Sequence, residues 1–159
     1  MLDIKHRLEA HQRALRTIEI LERRITTMQE GLSCPSVTDP SKVPTGQRGG
    51  HSDIMPLKLY RIQQLKEQHA NLLEIVTHDE PILMKLIDCL KSEKERFVIV
   101  SFYFWLIDYQ EMGEQLYGDN ADWGTVKGRQ GYMMRLRGFR HDGVKKLRAI
   151  VEASERKKS

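Results

Sequence analysis

Apolar side chains recur every three or four residues along most of this chain, the period of an α-helix that buries one face. Over residues 2–30 the positions Ile4, Leu8, His11, Leu15, Ile18, Leu21, Ile25 and Met28 form one stripe near the coiled-coil period, which predicts a long helix in need of a partner. Gly31 is placed to end it, and residues 32–53, with Pro35, Pro40, Pro44, Gly46, Gly49 and Gly50, read as a loop. A second helix over residues 56–76 carries Leu59, Ile62, Leu65, His69, Leu72 and Val76 at the same period. The two helices are expected to pair as an antiparallel hairpin. Thr77 and Glu80 fit a capping box that opens a third helix over 81–90, with Ile82, Leu83, Leu86, Ile87 and Leu90 on its buried face.

Punctuation is clearer in the second half. Ser92 and Glu95 form another capping box before an aromatic and β-branched run over 96–106, which is expected to be a deeply buried helix because no second strand is available to pair with it. Asp108 and Glu111 cap a short helix over 109–117 that points Met112 and Leu116 inward, with Gly113 allowing close packing. After a turn at Gly118-Asp119-Asn120, a helix beginning near Asp122 carries Val126, Met133 and Leu136 on one side. Gly138 and His141-Asp142-Gly143 are read as its end, and a basic helix follows. The expected fold is all-α: a helical hairpin arm over 1–76 with its loop at 32–53, then a module over 77–159 with a helix-turn-helix at about 108–137 and a basic C-terminal helix at 143–156.

Charge sharpens this division. The 159 residues carry a net charge of +4, but residues 123–150 hold eight Lys and Arg against Asp142 alone. Such concentration is the footprint of a polyanion binder, since neutralising phosphates releases condensed counterions. The longest apolar run, 102–107, is far below the roughly 20 residues of a membrane span, and the first residues do not begin a secretory signal. A cytoplasmic protein without a membrane partner is expected. Cys34 and Cys89 have no Cys-x-x-Cys spacing and read as reduced thiols, Cys89 in the core. His11 and His69 read as seam histidines because no Asp, Glu or Cys joins them at ligand spacing, so no metal is expected. Gly46-Gln47-Arg48-Gly49-Gly50 lacks phosphate-loop spacing, and no nucleophile-base constellation stands out. Neither a cofactor nor an enzymatic activity is expected.

Short motifs add a family resemblance. Residues 109–116, Tyr-Gln-Glu-Met-Gly-Glu-Gln-Leu, resemble the first helix of the helix-turn-helix in the fourth region of bacterial sigma factors, and Thr125-Val126-Lys127-Gly128-Arg129 is similar to the opening of that family's recognition helix. Upstream, Glu95-Arg96-Phe97 and Tyr103 resemble positions of the preceding helix. The whole layout is similar to small phage late-transcription regulators of the ArpU and RinA type. Gly113, the length of the turn over 117–124, and Gly128 and Gly131 depart from the family pattern.

The resemblance implies a sequence-specific regulator of transcription, of phage or prophage type, that binds double-stranded DNA with its recognition helix in the major groove. Side-chain chemistry assigns Thr125, Lys127, Arg129 and Gln130 to base edges or nearby phosphates, and Arg135, Arg137, Arg140, Lys145, Lys146 and Arg148 to backbone phosphates. The alternative is a helical interaction module that binds RNA polymerase, a nuclease or another host protein through its arm. Uncovered apolar stripe on the first helix suggests a homodimer in either case.

Overall fold

The structure, a computed structural model, describes residues 3–33 and 54–156. They are all-α. Five α-helices follow one another: α1 (Ile4–Ser33), α2 (Ile54–Asp88), α3 (Glu93–Tyr103), α4 (Tyr109–Tyr117) and α5 (Val126–Arg156), with a short 3-10 turn at Ala121–Gly124 before α5. Among the described residues no helix is long and apolar enough to cross a membrane. The expected loop lies outside the described residues from 34 to 53, together with Cys34 and the Gly46–Gly50 segment.

Three expected helix ends are absent. Gly31 lies inside α1; Thr77 and Glu80 lie inside α2, which continues through Pro81; and Gly138 and Gly143 lie inside α5. The basic C-terminal helix is therefore the second half of α5, with no break from the helix expected to begin near Asp122. Helix propensity opposes glycine by about 1 kcal/mol relative to alanine. Tertiary contact overrides that preference here. Leu136, Gly143, Val144 and Leu147 keep α5 in one core along both halves.

The chain divides into two compact units, one formed by Met1–Arg16 with Val76–Ser159 and the other by Thr17–Ile75. The first four turns of α1, expected to belong to the arm, thus belong to the unit that contains α5. Its larger core joins Ile4 and Leu8 of α1 to Leu83 and Ile87 of α2, to Leu90 between α2 and α3, to Ile99 and Tyr103 of α3, and to Val144 and Leu147 of α5. A second cluster gathers Val98, Met112 and Leu136, flanked by Phe97, Phe102, Ile107, Tyr109, Tyr117 and Phe139. The run over 96–106 is helical to Tyr103, but not buried all round, since Trp105 is 59% exposed. Cys89 is exposed rather than in the core, its thiol directed at the Lys85 carbonyl one turn back.

Two caps follow the sequence closely. Ser92 accepts from the Glu95 amide at 3.4 Å, and Asp108 accepts from the Glu111 amide at 2.9 Å, each satisfying a free donor of a first helical turn. Between them Leu106 takes φ 57°, a left-handed conformation that costs a non-glycine residue about 1–2 kcal/mol. It turns the chain from α3 into α4, and the Ile107 amide bonds back to the Ser101 carbonyl at 2.9 Å.

α3 crosses α5 at Gly143. A Cβ built there would stand 2.6 Å from Cδ1 of Ile99 and 3.4 Å from Cβ of Glu95. Beside this crossing Glu95, only 6% exposed, accepts from the Lys146 ammonium at 2.6 Å.

In the other unit Ile18, Leu21, Ile62 and Leu65 are buried, and His69 and Glu22 meet at 3.0 Å. Leu59, expected on the inner stripe of α2, is 57% exposed. Its neighbours Met55, Leu57 and Tyr60 are exposed as well.

Gly138 has nothing within 4 Å of an added Cβ. Gly138→Ala should therefore stabilise the protein by up to about 1 kcal/mol in urea unfolding, while Gly143→Leu should cost about 1–3 kcal/mol by overpacking. Equal stability of Gly143→Leu and the parent would contradict the close crossing.

His11 is 4% exposed, with neither ring nitrogen hydrogen-bonded, and lies 4.6 Å from the Phe104 ring. Burial holds its imidazole below the ordinary 6.5, against the opposing pull of Glu80 and Asp79. The unfolded chain then binds a proton that the folded chain refuses. Stability from this site is complete above pH 6.5 and declines as pH falls from there toward the lower folded value. Chemical denaturation across that range should show the decline in the parent and its loss in His11→Leu; an unchanged decline would place it on other groups.

Candidate nucleic-acid interface

The joint between α4 and α5 is built around two glycines. At Gly113 a Cβ would collide with the Trp123 indole, with Cζ3 only 2.6 Å away. At Gly128 it would meet the Asp122 backbone, 2.7 Å from the carbonyl carbon. Both glycines thus make room for the 3-10 turn, one on each side. Tyr117 stacks on Tyr132 with centroids 4.4 Å apart, Trp123 lies 6.0 Å from Tyr132, and Asn120 donates to the Tyr132 hydroxyl at 3.3 Å. Thr125 completes the joint. Its hydroxyl donates to the Asp122 carbonyl at 2.9 Å and accepts from the Gly128 amide at 3.0 Å, so it caps α5.

From that cap α5 presents a continuous exposed stripe, polar except at Met134. Lys127, Gln130, Met134, Arg137, His141, Lys145 and Arg148 are all exposed and recur at intervals of three or four residues. At 1.5 Å per residue the stripe extends roughly 32 Å. Within it, Arg137 reaches over the Tyr109 ring at 5.5 Å while its side remains open to solvent. Arg148 hydrogen-bonds both carboxylate oxygens of Asp3, one at 3.1 Å, and this contact holds the Asp3 carboxyl below the usual carboxylate range.

The other expected cations are placed differently. Arg129 is seven residues before Leu136 and Arg140 four after it, so both share the side of the helix that buries Leu136, and both are half-buried. Arg140 lies 4.5 Å from the Phe102 centroid and 5.6 Å from that of Tyr109, two rings that stack on each other. Arg135, over Tyr132 at 5.3 Å, and Lys146, paired with Glu95, lie on the opposite flank. Val126, expected to face the core, is 65% exposed, and Leu116 of α4 reaches the surface too. Arg129 thus lies off the outward side of α5, which carries Lys127, Gln130 and Arg137.

α4 and the turn contribute no cation. Residues 108–124 contain Asp108, Glu111, Glu114, Asp119 and Asp122 and not one Lys or Arg. Asp108 and Glu111 stabilise the positive N-terminal end of α4. The positive surface of this region belongs to α5 alone.

Folding also brings in residues that sequence reasoning missed. Lys5, Glu9 and Tyr103 share a cleft of about 460 Å³ with Arg140, Lys145 and Arg148. No local pattern marks them, because Lys5 and Tyr103 are distant in sequence from α5 and Tyr103 hides in an apolar run. In the Thr17–Ile75 unit a smaller cleft of about 370 Å³ lies among Arg23, Arg24, Thr27, Met28, Arg61 and Leu65. Among the described residues no group of three or more His, Cys, Asp or Glu is placed to hold a metal ion. No family model, no curated protein and no solved structure matches the chain.

Gly128→Ala should destabilise the protein by about 1–3 kcal/mol, because the Asp122 backbone must move. Gly131→Ala, with nothing within 4 Å, should instead stabilise it by up to about 1 kcal/mol. If urea unfolding shows both alanines stabilising, the turn is not seated on α5 in this way.

Proposed function

We propose that the protein binds double-stranded DNA through α5 and regulates transcription, in the manner of the phage and prophage regulators that its motifs resemble. The observation that carries this reading is the stripe from Lys127 to Arg148, a long exposed cationic face on one rigid helix. The first three turns of α5 enter the major groove, where Lys127 and Arg137 suit guanine edges or phosphates and Gln130 suits adenine. Farther along, the straight helix leaves the curved groove, and Lys145 meets backbone phosphates, with Arg148 beside it paired to Asp3. Thr125 orders the N-terminus of the reading helix through its cap. Arg129 and Arg140 act from the inner side, with Arg140 fixed by its aromatic neighbours. Lys146 contributes to the positive field while neutralising Glu95, and Arg135 extends that field on the same flank.

A second reading rests on α2. Leu57, Tyr60, Gln64, Gln68, Asn71 and Ile75 are uncharged and recur at intervals of three or four, and Leu57, Tyr60 and Ile75 are 67%, 63% and 55% exposed. Such a face suits a helical partner, either a second copy of the chain or a host protein such as RNA polymerase.

Selection from a random duplex pool, followed by anisotropy titrations across salt, tests the DNA reading. Lys145→Ala should weaken all duplexes and lower the salt slope by about one. Gln130→Ala should erase discrimination at one base pair, worth about 1–3 kcal/mol. Absence of binding at low salt would remove the DNA reading and leave the α2 face as the functional surface.

A further inference from the structure

The cleft beside the middle of α5 combines features that the DNA reading does not require. Its volume of about 460 Å³ lies within the range of small-molecule sites. Lys5 approaches it from α1, while Arg140, Lys145 and Arg148 approach from α5. Two of these charges are already engaged: Lys5 lies 3.7 Å from Glu9, itself on the cleft wall, and Arg148 holds Asp3. Arg140 and Lys145 have no carboxylate partner among the described residues. Even with Glu9 counted, the wall is net positive.

Tyr103 supplies the second and independent observation. It is 3% exposed, yet it lines the cleft, and its hydroxyl is not one of the fully enclosed polar atoms left without a partner. A hydroxyl on a cleft wall can donate to whatever occupies the cleft. Burial also pushes the phenol pKa up, overcoming the opposing effect of Arg140, so at neutral pH the group is a donor. Arg140 beside it is held over Phe102 and Tyr109, which spares much of the ordering that a mobile arginine would undergo on binding. One neutral donor and two unpaired cations suit a compact anion with several acceptor oxygens. A phosphoryl group has that shape and charge, and Val144 offers an apolar wall for the rest of a larger molecule.

We propose that this cleft binds the phosphate of a phosphorylated small molecule, which accepts hydrogen bonds from the Tyr103 hydroxyl, the Arg140 guanidinium and the Lys145 ammonium. The site does not depend on the DNA reading, although a duplex phosphate has the same chemistry and is the competing source. Calorimetric titration of the full chain at low ionic strength, with sodium pyrophosphate, ADP and a 20-bp duplex as separate probes, distinguishes the sources.

Pyrophosphate and ADP should each bind with one site per chain. Tyr103→Phe should weaken both by roughly tenfold, the effect expected for a hydrogen bond to a charged group. Because phenylalanine leaves every charge in place, general attraction to a basic surface would not respond to this change. Arg140→Gln should weaken both probes further, and thermal unfolding of each variant establishes that it is folded. An unchanged duplex affinity in Tyr103→Phe assigns the cleft to the small molecule. If Tyr103→Phe weakens only the duplex, and pyrophosphate and ADP do not bind, the occupant is a DNA phosphate and the small-molecule proposal is overturned. Binding of pyrophosphate and ADP that neither variant alters overturns the site itself.

Discussion

Where α3 crosses α5, the missing side chain of Gly143 leaves space that Ile99 fills, and the rest of the first unit depends on that approach. Ile4 and Leu8 reach the same core from α1, and Leu83 and Ile87 from α2, while Leu147 closes it from α5. Farther toward the N-terminus of α5, Leu136 anchors the second cluster, with Met112 of α4 and Val98 of α3 around it. One helix therefore serves as the common wall of both clusters. Fixing its rotation fixes which of its cations can meet a partner.

That rotation sorts the charges into groups with different physical roles. Lys127, Arg137 and Lys145 stand on the outward side, where a polyanion could meet them over several turns. Arg140 lies inward, over aromatic rings and at the rim of a cleft, where its position is constrained before any ligand arrives. Lys146 neutralises a nearly buried carboxylate, so part of its value is structural. The acidic stretch over 108–124 adds to the contrast: Asp108 and Glu111 favour the N-terminus of α4, and the lack of Lys and Arg there leaves α5 as the cationic surface of the joint. Both proposals for this unit use the same chemistry, recognition of phosphate, at two places on one helix.

The Thr17–Ile75 unit poses a different physical problem. Its buried residues Ile18, Leu21, Ile62 and Leu65 account for one face of each helix, but Leu57, Tyr60 and Ile75 expose apolar area on α2. Burying such area in an interface would release ordered water at about 25 cal/mol per Å². Gln64, Gln68 and Asn71 lie between the apolar positions, and amides of this kind favour one pairing register over others. The apolar stripe on α1 suggested a dimer from the sequence, but the inner positions of that stripe are largely occupied, and α2 carries the open face instead.

The sequence by itself determined the helical class and much of the local punctuation, because periodicity and capping act over one or two turns. The α1 stripe from Ile4 to Leu21 does face inward, and Ser92 and Asp108 do cap their helices. The concentration of Lys and Arg on the last helix was also legible, since charge needs no fold to be counted. Local rules failed where distant contacts outweighed them. Gly138 and Gly143 did not stop α5, Thr77 did not start a helix, and Cys89 was not buried. Only the tertiary structure decided that Trp123 would fill the space left by Gly113, that Arg129 and Arg140 would turn inward, and that Lys5 and Tyr103 would join Arg140 at one cleft. These outcomes depend on how helices meet across long stretches of chain, and no spacing within a single helix encodes that meeting.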